Sequence, residues 1–307
     1  MRNKFLILSA VFVLNACQNY SYDGLGQDVP TAGNIEFYAD KSDSLLVMEW
    51  IEMFQINYPK AKIKPIFASH NQLMKWLESD TLKKAFLLNQ FLTKDQKDFV
   101  AKNRNCTVHE THLAQSSVAF IVHKQSSLTE LDLSNVAKQL QNNGLISSGF
   151  QSLVYDSWGA PFLQFQQILK FKFNLPLLKK QFNSIYLHSD QSIIDYVSQH
   201  NDAIGLISLN YIGNNYSKLS LDNQKKIKII KLKLQENDIS QYPFQSQIKA
   251  KQYPVIQNIV AYDLQGYSGL ANGFITFVNS QPGQIMTKKN GLIPMNDVGR
   301  TIELGTE

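Results

Sequence analysis

From Asn34 onward, short apolar runs alternate with stretches in which apolar residues recur at helical spacing, the pattern of an α/β domain built on a largely parallel sheet. Asn34 to Ala39 predicts a first strand. Ser42 or Ser44 can cap a helix whose face is Leu46, Met48, Ile51 and Phe54, and Tyr58-Pro59 ends it. Lys62 to Phe67 reads as a second strand, Ser69 as a cap, and Leu73, Met74, Trp76 and Leu77 as the next helix face. Ala85 to Leu88 is a buried strand, Thr93 caps a helix reaching about Lys102, and Ser117 to His123 is a further strand. This half is βαβαβ.

A second unit follows the same grammar. Leu133 to Leu140 is helical, Gly144 breaks it, and the strand Leu153-Val154-Tyr155 runs into the turn Asp156-Ser157-Trp158-Gly159. Phe162 to Phe171 is a helix, Ser189 caps a helix over Ile193 to Ser198, and Ala203 to Ser208 is a strand. Lys225 to Leu234 alternates lysine with isoleucine or leucine, which predicts a half-exposed strand with its lysines on the solvated face. After Pro243, Tyr253 to Tyr262 is a returning strand and Leu270 to Val278 a helix. Gln281-Pro282-Gly283 opens a last helix before Leu292-Ile293-Pro294.

The start of the chain has a different character. Arg2-Asn3-Lys4 is a short positive segment, and Phe5 to Leu14 is an apolar run too short to span a bilayer as a mature helix, so residues 1–16 read as an export signal. Leu14-Asn15-Ala16-Cys17 resembles the bacterial lipobox, which implies acylation of Cys17 and a protein tethered by lipid to the membrane. Residues 17–33, with Gly24, Gly26, Pro30 and Gly33 among polar neighbours, predict a flexible tether. With Cys17 lipidated, Cys106 is left without an intramolecular partner, and stability falls to the core. No later stretch approaches 18 uninterrupted apolar residues.

The 307 residues, 44% hydrophobic and 18% charged, suffice for one large core or two modest ones. The formal charge is +5; without Arg2 and Lys4, 28 basic residues stand against 25 acidic, too small an excess to argue for nucleic acid. Arginine, the usual bidentate clamp for a buried oxyanion, occurs only at Arg2, Arg104 and Arg300. Catalytic and metal patterns are weak. His109-Glu110-Thr111-His112 has one residue between Glu and the second His where the zinc-protease spacing needs two, and His188-Ser189-Asp190 places triad residue types too close in sequence to converge. No enzyme, metal or cofactor is expected.

Several strings together resemble the phosphate-binding proteins of ATP-driven uptake systems, in the type 2 periplasmic solute-binding superfamily. They are Gly273-Phe274-Ile275-Thr276-Phe277-Val278, Gly283-Gln284-Ile285-Met286 and Lys289-Asn290-Gly291-Leu292-Ile293-Pro294, with Asn57-Tyr58-Pro59-Lys60-Ala61-Lys62-Ile63 and Ala203-Ile204-Gly205-Leu206-Ile207 upstream. The nearest likeness is to a lipoprotein branch of Bacteroidetes-like bacteria. The resemblance implies a clamshell of two α/β lobes joined by a two-stranded hinge, with lobe one at 34–123 plus 247–307, lobe two at 124–246, and a ligand cleft between them. Such a cleft grips an anion with helix N-termini and hydroxyls.

Residue by residue, the ligand pattern departs from that family. Ser42, with Ser44 beside it, keeps the small hydroxyl of the first strand-to-helix loop. Gln90 stands where a charged residue, often arginine, is usual, and Gln115 where Asp is frequent. The Ser/Thr-rich helix start of lobe two corresponds to Gly159-Ala160-Pro161-Phe162-Leu163-Gln164, without hydroxyl or arginine. Each lost charge-assisted bond is worth about 1.5–3 kcal/mol, so phosphate binding is expected to be weak or lost. Candidate cleft residues are Ser42, Ser44, Ser69, Asn89, Gln90, Gln115, Ser116, Tyr155, Ser157, Trp158 and Gln164. Two readings result: a periplasm-facing, lipid-anchored solute-binding protein that hands a small oxyanion or polar solute to a membrane transporter, or an accessory, protein-interaction subunit of an envelope complex with no small ligand.

Overall fold

The computed structural model describes residues 28–141, 152–173 and 184–296; the leader, Cys17, Gly144 and Arg300 lie outside them. In chain order the first elements are β1 Gly33–Asp40, α1 Ser44–Asn57, β2 Ala61–Ala68, α2 His70–Ser79, β3 Ala85–Leu88, α3 Lys94–Arg104 and β4 His109–His123. Next come β5 Glu130–Asp132, α4 Leu133–Gln141, β6 Ser152–Tyr155, α5 Ala160–Phe173, β7 Ser184–Tyr186, α6 Asp190–Val197 and β8 Ala203–Ser208. The chain returns through α7 Lys218–Lys226, β9 Ile227–Ile229, β10 Lys231–Lys233, α8 Gln245–Lys249, β11 Ile256–Asp263, α9 Leu270–Asn279, α10 Gln281–Lys289 and β12 Ile293–Pro294.

The main sheet runs β2-β1-β3-β11-β4-β8-β6-β7, with β9 and β12 also on β4. Its two flanks are parallel, β1 beside β2 and β3, and β6 beside β7 and β8, whereas β11 and β4 in the middle are antiparallel to their neighbours. The largely parallel expectation therefore holds for each flank and fails at the centre. There the fifteen-residue β4 pairs through its first half with β11 and through Val118 to Val122 with β8. One strand thus serves two cores.

Alternation along the strands assigns those cores. Phe37 and Ala39 of β1 and Ala85 and Leu87 of β3 face α1 and α9, where Trp50, Phe54 and Phe274 are buried. Tyr38, Phe86 and Leu88 point the other way, onto Leu73 and Leu77 of α2 and Val100 of α3. A sheet covered on both faces requires such continuously apolar strands. Beyond Ser117 a separate core gathers β4, β6 and β8 with α5 and α6, and Ile248, Tyr253 and Val255 join it. Here Gly205 lets α6 approach: a Cβ would lie 2.8–2.9 Å from Ile193, Ile121 and Val197.

Local signals account for most boundaries. Ser69, Thr93 and Ser189 cap α2, α3 and α6, Thr93 in a reciprocal capping box with Gln96. The cap expected of Ser42 or Ser44 is absent. Asp43 precedes α1 without a side-chain capping bond, Ser44 is its first residue, and the backbone N–H and Oγ of Ser42 both donate to Asp40 Oδ1, at 3.0 and 2.7 Å. Met48, placed on the apolar face of that helix, is exposed. Lys225 and Lys226 end α7 instead of opening a strand, and Ile230 divides the remainder into β9, on β4, and β10, on β5.

The arm before β1 is fastened to the start of α9. Asp28 Oδ1 accepts from the Leu270 backbone N–H at 2.6 Å and Oδ2 from the Tyr267 hydroxyl at 2.5 Å, so a residue remote in sequence caps α9, whose own Gly269 has no side chain to do so. Cys106 is a free thiol packed beside the α2–α3 core.

Candidate functional site

The C-terminal ends of the parallel strands from the two flanks face one another, and the loops leaving them meet in a seam. The β1 loop contributes Asp40, Lys41, Ser42, Asp43 and Ser44. Opposite are the turn Asp156 to Gly159 ahead of α5, Asp190 at the start of α6, and Asn210 and Tyr211 in the 3₁₀ turn after β8.

This seam is closed by direct bonds. Asn210 Nδ2 donates to Asp43 Oδ1 at 2.8 Å and Ser44 Oγ lies 3.1 Å from the Tyr211 hydroxyl. Lys41 pairs with Asp156. The His70 backbone N–H donates to the Trp158 carbonyl at 3.2 Å, and Gln167 Nε2 to Gln90 Oε1 at 3.1 Å. At one end Asn214 Nδ2 donates to Asn290 Oδ1 at 3.1 Å, and Gly213 packs so closely on Gly291 that a Cβ on Gly213 would sit 2.5 Å from the Asn290 carbonyl. Gly291, at φ +81°, takes a conformation that favours glycine.

Asp40, Asp43, Asp156 and Asp190 are all buried here, with Lys41 as the neighbouring cation. Burial pushes Asp40 up to about 6, against the opposing pull of the Ser42 N–H and hydroxyl and of the Ala160 N–H at the start of α5. Burial, reinforced by the Asp40 charge, pushes Asp43 up to about 7, while Asn89 and Asn210 pull it down. Burial also holds Asp190 well above the carboxylate range, although Ser208 N–H donates to it at 2.7 Å. The Tyr211 phenol is pushed up to about 12 by burial and by the charge of Asp190. An N-terminal helix amide that would favour a bound anion instead faces the protein's own Asp40.

Several expected residues reach this seam. Ser42 is buried against Asp40, Ser44 bonds across to Tyr211, Asn89 lies beside Asp43, and Gln90 joins His70 and Gln167. Trp158 supplies the carbonyl that meets His70 while its side chain is 55% exposed. Ser157 sits half-buried in the same turn, and Ser69 caps α2. Others are placed elsewhere or turned inward. Gln115 donates to Asn258 Oδ1 within the β4–β11 ladder, Ser116 is buried opposite Gln257, and Tyr155 stacks on Phe162 at 3.6 Å. It is Gln167, one turn beyond Gln164, that crosses to Gln90.

The four aspartates, Asn210 and Tyr211 were missing from the expected set. Their signal was position: Asp40 ends β1, Asp156 follows β6, and Asn210 follows β8 by two residues, each at a strand's C-terminal end. Arg104 is far from the seam, its guanidinium donating to the Leu77, Lys83 and Trp76 carbonyls at 2.5–2.6 Å.

A family model described as the PBP superfamily domain matches residues 27–282. A search of curated proteins returned no match. Among solved structures, one described as a phosphate ABC transporter substrate-binding protein with bound phosphate, from Clostridium perfringens, superposes with a TM-score of 0.67 at 17% identity, covering 86% of this chain and 100% of that one. An ABC-type phosphate transport receptor from Vibrio cholerae gives 0.60 at 14% identity, over 85% and 99% of the two chains. PstS from Borrelia burgdorferi gives 0.52 at 18%, over 86% and 99%. At these identities the likeness is one of fold. With a family match over most of its length and a mixed α/β architecture of two lobes, the chain belongs to the PBP superfamily and has the type 2 periplasmic binding fold.

Proposed function

We propose that this protein is a lipid-anchored, non-enzymatic solute-binding clamshell of the cell envelope whose interlobe cleft has lost phosphate as its ligand. Fold neighbours described as phosphate binders and the leader ending at Cys17 support the general class. The finer reading rests on one observation: Asp40 and Asp43 are buried in the seam, with Asp40 set against the Ala160 N–H.

Magnitudes decide between the opposing effects. A helix N-terminus favours an anion by about 0.3–2 kcal/mol. Two unit charges 4 Å apart at a protein surface repel by about 4 kcal/mol. A phosphate entering beside ionised Asp40 and Asp43 therefore loses more than the helix returns, and the one described arginine is committed elsewhere. In this reading the lobes exchange near Ser117/Val118 in β4 and near Val255/Ile256 at the start of β11.

Calorimetric titration of phosphate at pH 8, where both carboxyls are ionised, is the test. A ligand present at a hundred times its Kd raises stability by about 2.7 kcal/mol; no heat and no shift in Tm at millimolar phosphate is the expected outcome, and saturable binding would refute the proposal. The alternative, an accessory subunit without a small ligand, draws support from the side-chain bonds that already close the seam, Asp43 to Asn210 and Gln90 to Gln167. A seam that binds no small solute while the chain co-purifies with an envelope complex would favour it.

A further inference from the structure

Gly213 and Gly291, which meet at one end of the seam, also line a separate cleft of about 620 Å³ that none of the seam's aspartates reaches. Much of its lining is apolar. Leu209 and Ile212, from the turn after β8, and Ile227 of β9 are buried, and Ile229 is half-buried. Tyr242 and Phe244 add an aromatic pair, ring centroids 5.3 Å apart and 23° from coplanar, yet 37% and 46% exposed. Small-molecule sites are commonly concave and apolar in this way, with a few polar groups that fix orientation.

The polar groups of the lining divide into engaged and available. Gln245 Nε2 donates to the Lys288 and Leu292 carbonyls at 2.8 and 2.7 Å, and Gln224 Nε2 to the Ile212 carbonyl at 2.6 Å and Asn215 Oδ1 at 3.2 Å. Both amide donors are thus taken by the protein itself. Lys124 and Lys228 differ. Each ammonium meets one main-chain carbonyl, Lys124 that of Gln224 at 3.3 Å and Lys228 that of Ser126, and neither pairs with a carboxylate among the described residues. An ammonium carries three donors, so each keeps donors for a guest. Their neighbours Lys225 and Lys226 are by contrast paired, with Asp222 and Asp195. No Asp or Glu lines the cleft.

We infer that this cleft binds an aromatic carboxylate, its flat apolar body against Tyr242, Phe244, Ile212 and Ile229 and its carboxyl group at Lys124 and Lys228. The site stands outside the seam and does not depend on what the seam binds. Charge and apolarity together set the class. A cation would meet two lysines and no acid. A phosphate or a sugar, polar all round, would give up water against leucine and isoleucine without bonds to replace it. A neutral arene would cover the exposed rings and leave both ammonium groups unused. A carboxylate on an arene does both, burying its ring and taking charge-assisted hydrogen bonds, which are stronger than neutral ones. The two lysines stand at the same end of the β4–β9 ladder, where Val122 pairs with Lys228 and His123, next to Lys124, with Ile227. Lys231, its Nζ 5.3 Å from the centre of the Tyr242 ring, adds to the positive field.

The test is calorimetry on the full chain in detergent, with detergent alone as the blank, using naphthalene-2-carboxylate, the isosteric naphthalene-2-carboxamide and acetate. Saturable one-to-one binding of the carboxylate is expected, at least tenfold weaker for the carboxamide, which has the ring without the charge, and undetectable at millimolar acetate, which has the charge without the ring. Lys124→Gln and Lys228→Gln should each weaken the carboxylate about tenfold and leave the carboxamide as it was, whereas Tyr242→Ala should weaken both. Lys225→Ala, at a lysine paired with Asp222 outside the cleft, should change neither. Lys228→Gln also gives up the bond to Ser126; should that variant fail to fold, Lys124→Gln, at an exposed residue, decides. Absence of saturable carboxylate binding, equal affinity for the carboxamide, or a Lys124→Gln variant that binds as Lys225→Ala does would overturn the inference.

Discussion

Asn210 Nδ2 donates to Asp43 Oδ1 at 2.8 Å, joining residues 167 positions apart and holding the β1 loop to the turn after β8. Asn210→Ala removes the donor and leaves a buried carboxylate without it, a loss of about 1–3 kcal/mol. Urea unfolding should show a lower midpoint with an unchanged slope; an unchanged midpoint would mean the lobes do not depend on this contact.

Acidity should strengthen the fold. Asp40 and Asp43 hold their protons more tightly folded than unfolded, so between about pH 4 and pH 7 the folded chain binds more protons. Their contribution is complete below the unfolded carboxyl value near 4 and is lost as pH rises through about 6 and about 7. Tm is expected to be several degrees higher at pH 5 than at pH 8, and Asp43→Asn should flatten the upper part of that slope. A Tm that climbs from pH 5 to pH 8 would contradict this placement of the two acids.

Packing of α6 on β8 should be intolerant of one methyl group. Gly205→Ala sets a Cβ against Ile193, Ile121 and Val197 at under 3 Å, and overpacking of this kind costs about 1–3 kcal/mol. Thermal melts compared with an exposed control such as Lys225→Ala would register it.

Much of this architecture was legible because each flank obeys local rules. The runs at Ala85–Leu88 and Ala203–Ser208 are buried strands with the limits their apolar residues set, and Ser69, Thr93 and Ser189 cap the helices they precede. The hidden parts depend on distant partners. Ser42 has a cap's chemistry, yet Asp40 captures its hydroxyl. The lysine-rich alternation at 225–234 suits a strand, but Lys225 and Lys226 complete α7 and Ile230 bonds the Phe120 carbonyl, dividing what remains. The acids of the seam are only partly legible for the same reason: the ends of β1 and β6 mark the places of Asp40 and Asp156, but nothing local brings them together with Asp43 and Asp190.

The arm should come free if its clasp is cut. Asp28→Ala deprives the first turn of α9 of its acceptor, a change of about 0.5–2 kcal/mol, and should expose the chain before Gly33 to limited proteolysis while the seam keeps its bonds. Cleavage at the unaltered rate would show that packing, not Asp28, holds the segment.

That clasp also has a mechanical meaning. Any tension applied from the N-terminal side passes through Asp28 into Leu270 and Tyr267, and so into the half built on β1, β2, β3 and β11. Through Asp28 the segment before β1 is coupled to the part of the sheet that carries Asp40 and Asp43, whereas Asp156, Asp190 and Asn210 stand on the part built around β4, β6 and β8.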